Sequence, residues 1–75
     1  MKLNQLSPGN QARVISLSKA SPSYRKQLLS MGITPGAKIS FVRTAPMGDP
    51  IQIEVRGTQV SLRLAEAGAI EVEQL

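Results

Sequence analysis

The 75-residue sequence contains no cysteine, no histidine and no tryptophan, and it has a single tyrosine and a single phenylalanine. Each absence closes a class of function. Without cysteine there is no disulfide framework, and nothing argues for an oxidising compartment. Without histidine or cysteine, the usual general base, the most reactive nucleophile and both soft metal ligands are missing together. The serines have no histidine to activate them, and no glycine-rich stretch has phosphate-binding spacing. No catalytic residue, cofactor or metal-ligand set is therefore expected. Two aromatics are too few for the stacking platform on which single-strand nucleic-acid binders rely. The opening run Met1-Lys2-Leu3-Asn4-Gln5-Leu6-Ser7-Pro8-Gly9 lacks the apolar core of a secretion signal. No segment approaches the roughly 18 apolar residues of a membrane span. The expectation is a soluble, cytoplasmic protein.

Acidic residues are also missing from the first 48 positions, which hold Lys2, Arg13, Lys19, Arg25, Lys26, Lys38 and Arg43. The remainder holds Asp49, Glu54, Glu66, Glu71 and Glu73 against Arg56 and Arg63, so +7 is followed by −3, for a net +4. Such an asymmetry steers an acidic partner or an anionic membrane surface, and it also describes the solvated faces of a basic domain. The basic balance keeps a nucleic-acid-binding barrel open as an alternative. A weak metal-responsive regulator is a second alternative, resting on carboxylates alone. Glu71 and Glu73 lie about 7 Å apart on one strand face, which on a convex surface makes a weak hard-ion site at best.

With 41% apolar and 19% charged residues the chain falls in the globular range, as one small domain over residues 1–75 with a thin core. Leu3 and Leu6 plug one end of that core ahead of the turn-forming Ser7-Pro8-Gly9-Asn10. Gln11 to Ser18 reads as a strand of imperfect alternation. Ser21-Pro22 opens a helix that stops at Gly32, with Tyr24, Leu28 and Met31 on one stripe. Thr34-Pro35-Gly36 is a turn. Ala37, Ile39 and Phe41 then alternate with polar residues, as do Ile51, Ile53 and Val55, and Val60, Leu62 and Leu64. The turns between these runs are Ala45 to Pro50 and a hairpin at Gly57-Thr58, and Ala65 to Gly68 turns into a last strand over Ala69 to Leu75. There Ile70 and Val72 face in while Glu71 and Glu73 face out. Period-two patterning with one apolar face identifies antiparallel strands over a single core. Five short strands in so small a domain close into a barrel, because an open sheet would leave exposed edges. The fold class is mainly β: a small SH3-like five-stranded antiparallel barrel with one helix inserted after the first strand.

The run Leu28-Leu29-Ser30-Met31-Gly32-Ile33-Thr34-Pro35-Gly36 resembles the signature of the FeoA family: a leucine-rich helix end, a glycine, an apolar residue, one variable residue and Pro-Gly leading into a strand. Ala45-Pro46-Met47-Gly48-Asp49-Pro50-Ile51 is similar to the loop between that family's central strands. Val60-Ser61-Leu62-Arg63 with Ala67 and Ala69-Ile70-Glu71-Val72 resembles its C-terminal pattern. The likeness covers nearly the whole chain, and the same barrel resembles a C-terminal domain of iron-dependent repressors of the diphtheria-toxin-repressor type. The resemblance implies an SH3-like fold and a cytoplasmic accessory or regulatory protein of bacterial ferrous-iron uptake. It would bind the cytosolic region of the FeoB transporter, which would recruit it to the inner face of the membrane. The sequence leaves self-association through a strand edge open. The candidate partner-binding residues are Tyr24, Arg25, Leu28, Leu29 and Met31 on the helix and Met47 on the 45–50 turn. Leu28 and Met31 read more readily as core; Leu29 lies off the stripe and is the better contact.

Overall fold

The computed structural model describes residues 1–75. A one-turn 3-10 helix, Leu3–Gln5, precedes β1 (Gln11–Ser16), α1 (Pro22–Ser30), β2 (Lys38–Thr44), β3 (Ile51–Val55), β4 (Thr58–Leu62), α2 (Leu64–Ala67) and β5 (Glu71–Gln74). The five strands form one antiparallel sheet in the order β4-β3-β2-β1-β5, with α1 inserted after β1. This is the expected SH3-like, mainly β architecture. The sheet is not closed by hydrogen bonds, since its end strands β4 and β5 do not pair with each other. No helix is long and apolar enough to cross a membrane.

A single cluster of nineteen buried side chains, all apolar, fills the interior. Alternation supplies it from each strand: Ala12 and Val14, Ile39 and Phe41, Ile51, Ile53 and Val55, Val60 and Leu62, and Val72. Leu3, Leu6 and Ile70, outside the strands, join the same cluster. Burying apolar surface at about 25 cal/mol per Å² is the main source of stability in so small a domain.

α1 begins as its sequence dictates. The Ser21 hydroxyl accepts the Tyr24 amide at 3.2 Å, and Pro22 occupies the first helical position. It ends in a Schellman motif. Gly32, at φ +88°, donates its amide to Leu29 O at 3.1 Å, and Ile33 donates to Leu28 O at 3.0 Å. Leu28 and Ile33 are thereby brought together, both fully buried. Pro35 and Gly36 then make a turn closed by the Ala37 amide on Thr34 O at 2.9 Å, with Gly36 at φ +91°.

Four details depart from the sequence reading. β1 ends at Ser16, and a bulge between Val14 and Ser16 turns Ile15 out to 51% exposure while Leu17 returns to the core. The β3–β4 hairpin turns on Arg56-Gly57, both at positive φ (53° and 79°), one residue before the expected Gly57-Thr58. Leu64 leaves the alternation: it starts α2, where a turn was expected, and is 37% exposed. Asp49 Oδ1 accepts the Leu64 amide at 2.9 Å, which ties the β2–β3 loop to that helix start. Finally, β5 spans only Glu71–Gln74, with its outer edge lined by Met1 to Leu3.

Candidate functional site

The β1–α1 connection, the last turn of α1 and the Thr34-Pro35 turn meet around an open groove of about 290 Å³ lined by Leu17, Ser18, Arg25, Leu29 and Pro35. Leu17 is buried and forms its floor, while Leu29 is 43% exposed. The position of Leu29 follows from helix geometry. Leu28 takes the core-facing position, and one residue on, 100° around the axis, Leu29 is turned outward. Leaving a leucine exposed next to a proline creates an apolar shelf whose desolvation a partner can use.

Arg25 frames one wall. Its Nε donates to Leu17 O at 3.2 Å, and its Nη2 donates to Ser18 O at 3.2 Å and Ala20 O at 3.1 Å. Three carbonyls of the non-repetitive connection are thus satisfied by one rigid fork. No carboxylate lies within 4.0 Å of Arg25, the only ion pair being that of the N-terminal amine with Glu71 at 3.6 Å. The groove is therefore apolar with a positive rim.

The opposite wall is braced from the hairpin. Arg56 donates Nε to Gly32 O at 3.4 Å and Nη2 to Thr34 Oγ1 at 3.2 Å. The β3–β4 turn thereby holds the helix end that presents Leu29. Tyr24 is half-buried and packs on the core. Its hydroxyl is enclosed without a hydrogen-bond partner. Burial first, and the charge of Glu66 second, push its pKa up to about 12.

Of the six residues expected to contact a partner, the structure brings Arg25 and Leu29 to one groove. Leu28 is fully buried, so the stripe position that suggested it makes it a core residue instead. Tyr24 and Met31 are half-buried against the core. Met47 is 92% exposed on the β2–β3 loop, whose Pro46 and Pro50 line a different cavity with Arg43, Gln52 and Ser61. Leu17 and Pro35 were missed as site residues. Leu17 hid in a strand pattern that the bulge interrupts, and Pro35 was absorbed into its turn.

The alternatives find little geometry. No group of three or more acidic side chains gathers, and Glu71 already pairs with the amine of Met1. Phe41 is buried and Tyr24 half-buried, so neither offers a stacking face to a base.

Comparison with known proteins adds to this geometry. Residues 1–74 match the FeoA domain family. An Fe(2+) transport protein A/Fe(2+) transporter FeoB fusion protein of Porphyromonas gingivalis is 37% identical over 97% of this chain, which spans 8% of that protein's length. The solution structure of a FeoA protein from Chlorobium tepidum superposes with a TM-score of 0.94 at 40% identity, over all of this chain and 70% of that one. A zinc complex of Stenotrophomonas maltophilia FeoA, described as a prokaryotic SH3 domain protein, gives 0.84 at 26% identity, over 97% of this chain and 89% of that one. At 23% identity a manganese-dependent transcriptional repressor shares the fold, with a TM-score of 0.87 over all of this chain and 41% of its own.

Proposed function

The chain belongs to the FeoA domain family, and from that membership we propose that it serves ferrous-iron uptake as a non-catalytic partner of a FeoB-type transporter. The observation that carries this reading is the fusion relative, in which a region similar to nearly the whole of this chain is joined to the transporter in one polypeptide. Joining two modules raises their effective concentration for one another, which is of use where they act together. A separate chain must achieve the same by affinity.

The groove supplies a surface suited to that affinity. Leu29 and Pro35 offer apolar contact over Leu17, and the unpaired charge of Arg25 at the rim selects a segment that follows an apolar side chain with a carboxylate. The acid-free first 48 residues add long-range attraction to such a segment. The contacted region of the transporter is cytosolic in this reading, and the chain is cytoplasmic, reaching the inner face of the membrane through its partner. Tyr24 and Met31 hold α1 against the core, and Met47 is a secondary contact on the β2–β3 loop.

Retention of the transporter's cytosolic region on the immobilised chain tests this. The wild-type chain retains it, and Leu29→Asp lowers the affinity at least about tenfold, the effect of burying an uncompensated charge, with an unchanged circular dichroism spectrum. No retention by the wild type, or equal retention by the variant, overturns the proposal.

A further inference from the structure

The two ends of the sheet are treated differently. β5 is covered along its outer edge: Met1 and Val72 exchange hydrogen bonds at 2.8 and 3.0 Å, and the Leu3 amide reaches Ile70 O at 3.0 Å. β4 has no such cover. It pairs only with β3, in the register Val55↔Thr58, Ile53↔Val60 and Ile51↔Leu62 around the two-residue Arg56-Gly57 turn. In a two-residue hairpin the residues flanking the turn form a hydrogen-bonded pair, so Thr58, Val60 and Leu62 point their amides and carbonyls to β3. Those of Gln59 and Ser61 point outward, and neither residue has a main-chain partner beyond the ladder. Both are exposed. The strand Thr58-Gln59-Val60-Ser61-Leu62 carries no lysine, no other charge and no proline, the residues that usually protect an edge.

We propose that this edge pairs with β4 of a second copy of the chain, antiparallel about a two-fold axis at Val60. That is the arrangement in which the four free groups satisfy one another: the Gln59 amide and carbonyl bond those of Ser61 in the partner copy, and the Ser61 groups bond those of Gln59. The three cross-axis pairs nearest the axis match in kind, and beyond them Thr58 falls opposite Leu62. On the outer face Gln59 meets Ser61, extending the polar rows Arg43–Gln52–Ser61 and Ser40–Glu54–Gln59. On the inner face Val60 meets Val60, so the apolar row Phe41–Ile53–Val60 becomes continuous through the axis. Val60, at 9%, is the most exposed of the nineteen core residues, and the pairing covers it. No like charges fall opposite each other, since Arg63 faces Gly57 and Arg56 faces Leu64. This match favours a second copy over an unrelated strand. The proposal is independent of the groove, none of whose lining residues lies on β4.

Four main-chain bonds and the Val60 contact are little to set against the freedom that two copies lose on association, so the dimer is weak and concentration-dependent, of the class with a dissociation constant of about 1 mM. The test is amide NMR with hydrogen exchange on the whole chain at about 0.1 mM and about 3 mM, bracketing that constant. The amides of Gln59 and Ser61 shift and gain protection at the higher concentration, whereas Thr58, Val60 and Leu62 are protected at both. Ser61→Pro removes two of the four bonds from a position that donates nothing to β3, and it weakens association by about tenfold or more. The double change Gln59→Lys, Ser61→Lys sets like charges across the axis and abolishes association without touching the β3 pairing. Any of three results overturns the proposal: Gln59 and Ser61 unprotected at about 3 mM, well above that constant; self-association that moves other residues; or protection of these two amides only when a transporter segment is added, which assigns the edge to that segment.

Discussion

The Arg25 guanidinium closes over the carbonyl of Leu17, with Nε 3.2 Å from the oxygen. One side chain thus shapes the groove wall and supplies its charge, because three of its donors meet carbonyls and none meets a carboxylate. The two roles separate by substitution. Arg25→Lys keeps the charge and loses the fork, so it destabilises the fold by about 1–2 kcal/mol through the lost bonds to Ser18 O and Ala20 O, while Leu17 O still accepts the Ala20 amide. In urea unfolding, Arg25→Gln loses as much stability. Partner affinity separates the two variants, because only Arg25→Lys retains the attraction to an acidic segment.

Leu28 and Leu29 are neighbours with opposite tasks. Leu28→Ala opens a cavity in the core beneath the Schellman motif and costs about 2–5 kcal/mol, read as a lower midpoint of thermal or urea unfolding. Leu29→Ala changes stability by less than about 0.5 kcal/mol, and its effect is on partner binding. A large loss of stability from Leu29→Ala would place that side chain in the core.

Gly32 is constrained twice. At φ +88° an L side chain is strained, and a Cβ there would lie 3.3 Å from Cδ of Arg56. Gly32→Ala is expected to cost about 1–3 kcal/mol from the backbone alone. Arg56→Ala in the same chain relieves the contact and leaves the strain, so the double variant recovers only part of the loss in a double-mutant cycle. Because the same arginine holds Gly32 O, the single Arg56→Ala change also loosens the helix end, seen as faster amide exchange at Gly32 and Ile33.

Tyr24 is the only tyrosine and there is no tryptophan, so its ionisation is read directly in the ultraviolet spectrum. Its pKa is raised from 10.0 to about 12 in the folded chain. The sign follows: the folded state holds the phenol proton more tightly than the unfolded chain does. This contribution is fully present below pH 10.0 and is lost as the pH rises through about 12. The phenolate band is expected to appear with a midpoint near 12 in the folded protein and near 10.0 in denaturant. Because the hydroxyl has no partner, Tyr24→Phe leaves stability at neutral pH unchanged or raises it by up to about 1 kcal/mol.

Much of this was legible from local chemistry. The helix start at Ser21-Pro22, its end at Gly32, the outward Leu29 and the alternation of β2, β3 and β4 all follow from positions whose residue type decides the backbone. What escaped was decided by tertiary partners. The bulge after Val14 is set by pairing with β5, and it alone explains an outward Ile15 and an inward Leu17. Leu64 continues a strand alternation in sequence, yet the Asp49 carboxylate takes its amide into a helix start. The turn at Arg56 needs an arginine at positive φ, an uncommon choice compensated by its bonds to Gly32 and Thr34. Closure was expected from the exposed-edge argument, and the N-terminal residues cover only one of the two edges.

The central claim is that the groove between the end of β1, the end of α1 and the Thr34-Pro35 turn receives the transporter. It is tested most directly by titrating the isotope-labelled chain with the cytosolic region of a FeoB-type transporter and following backbone amides. The account predicts saturable shifts at Leu17, Ser18, Arg25 and Leu29 that disappear in Leu29→Asp. Saturable shifts confined to the outer sheet face or to the Met47 loop, with these four unmoved, would contradict it.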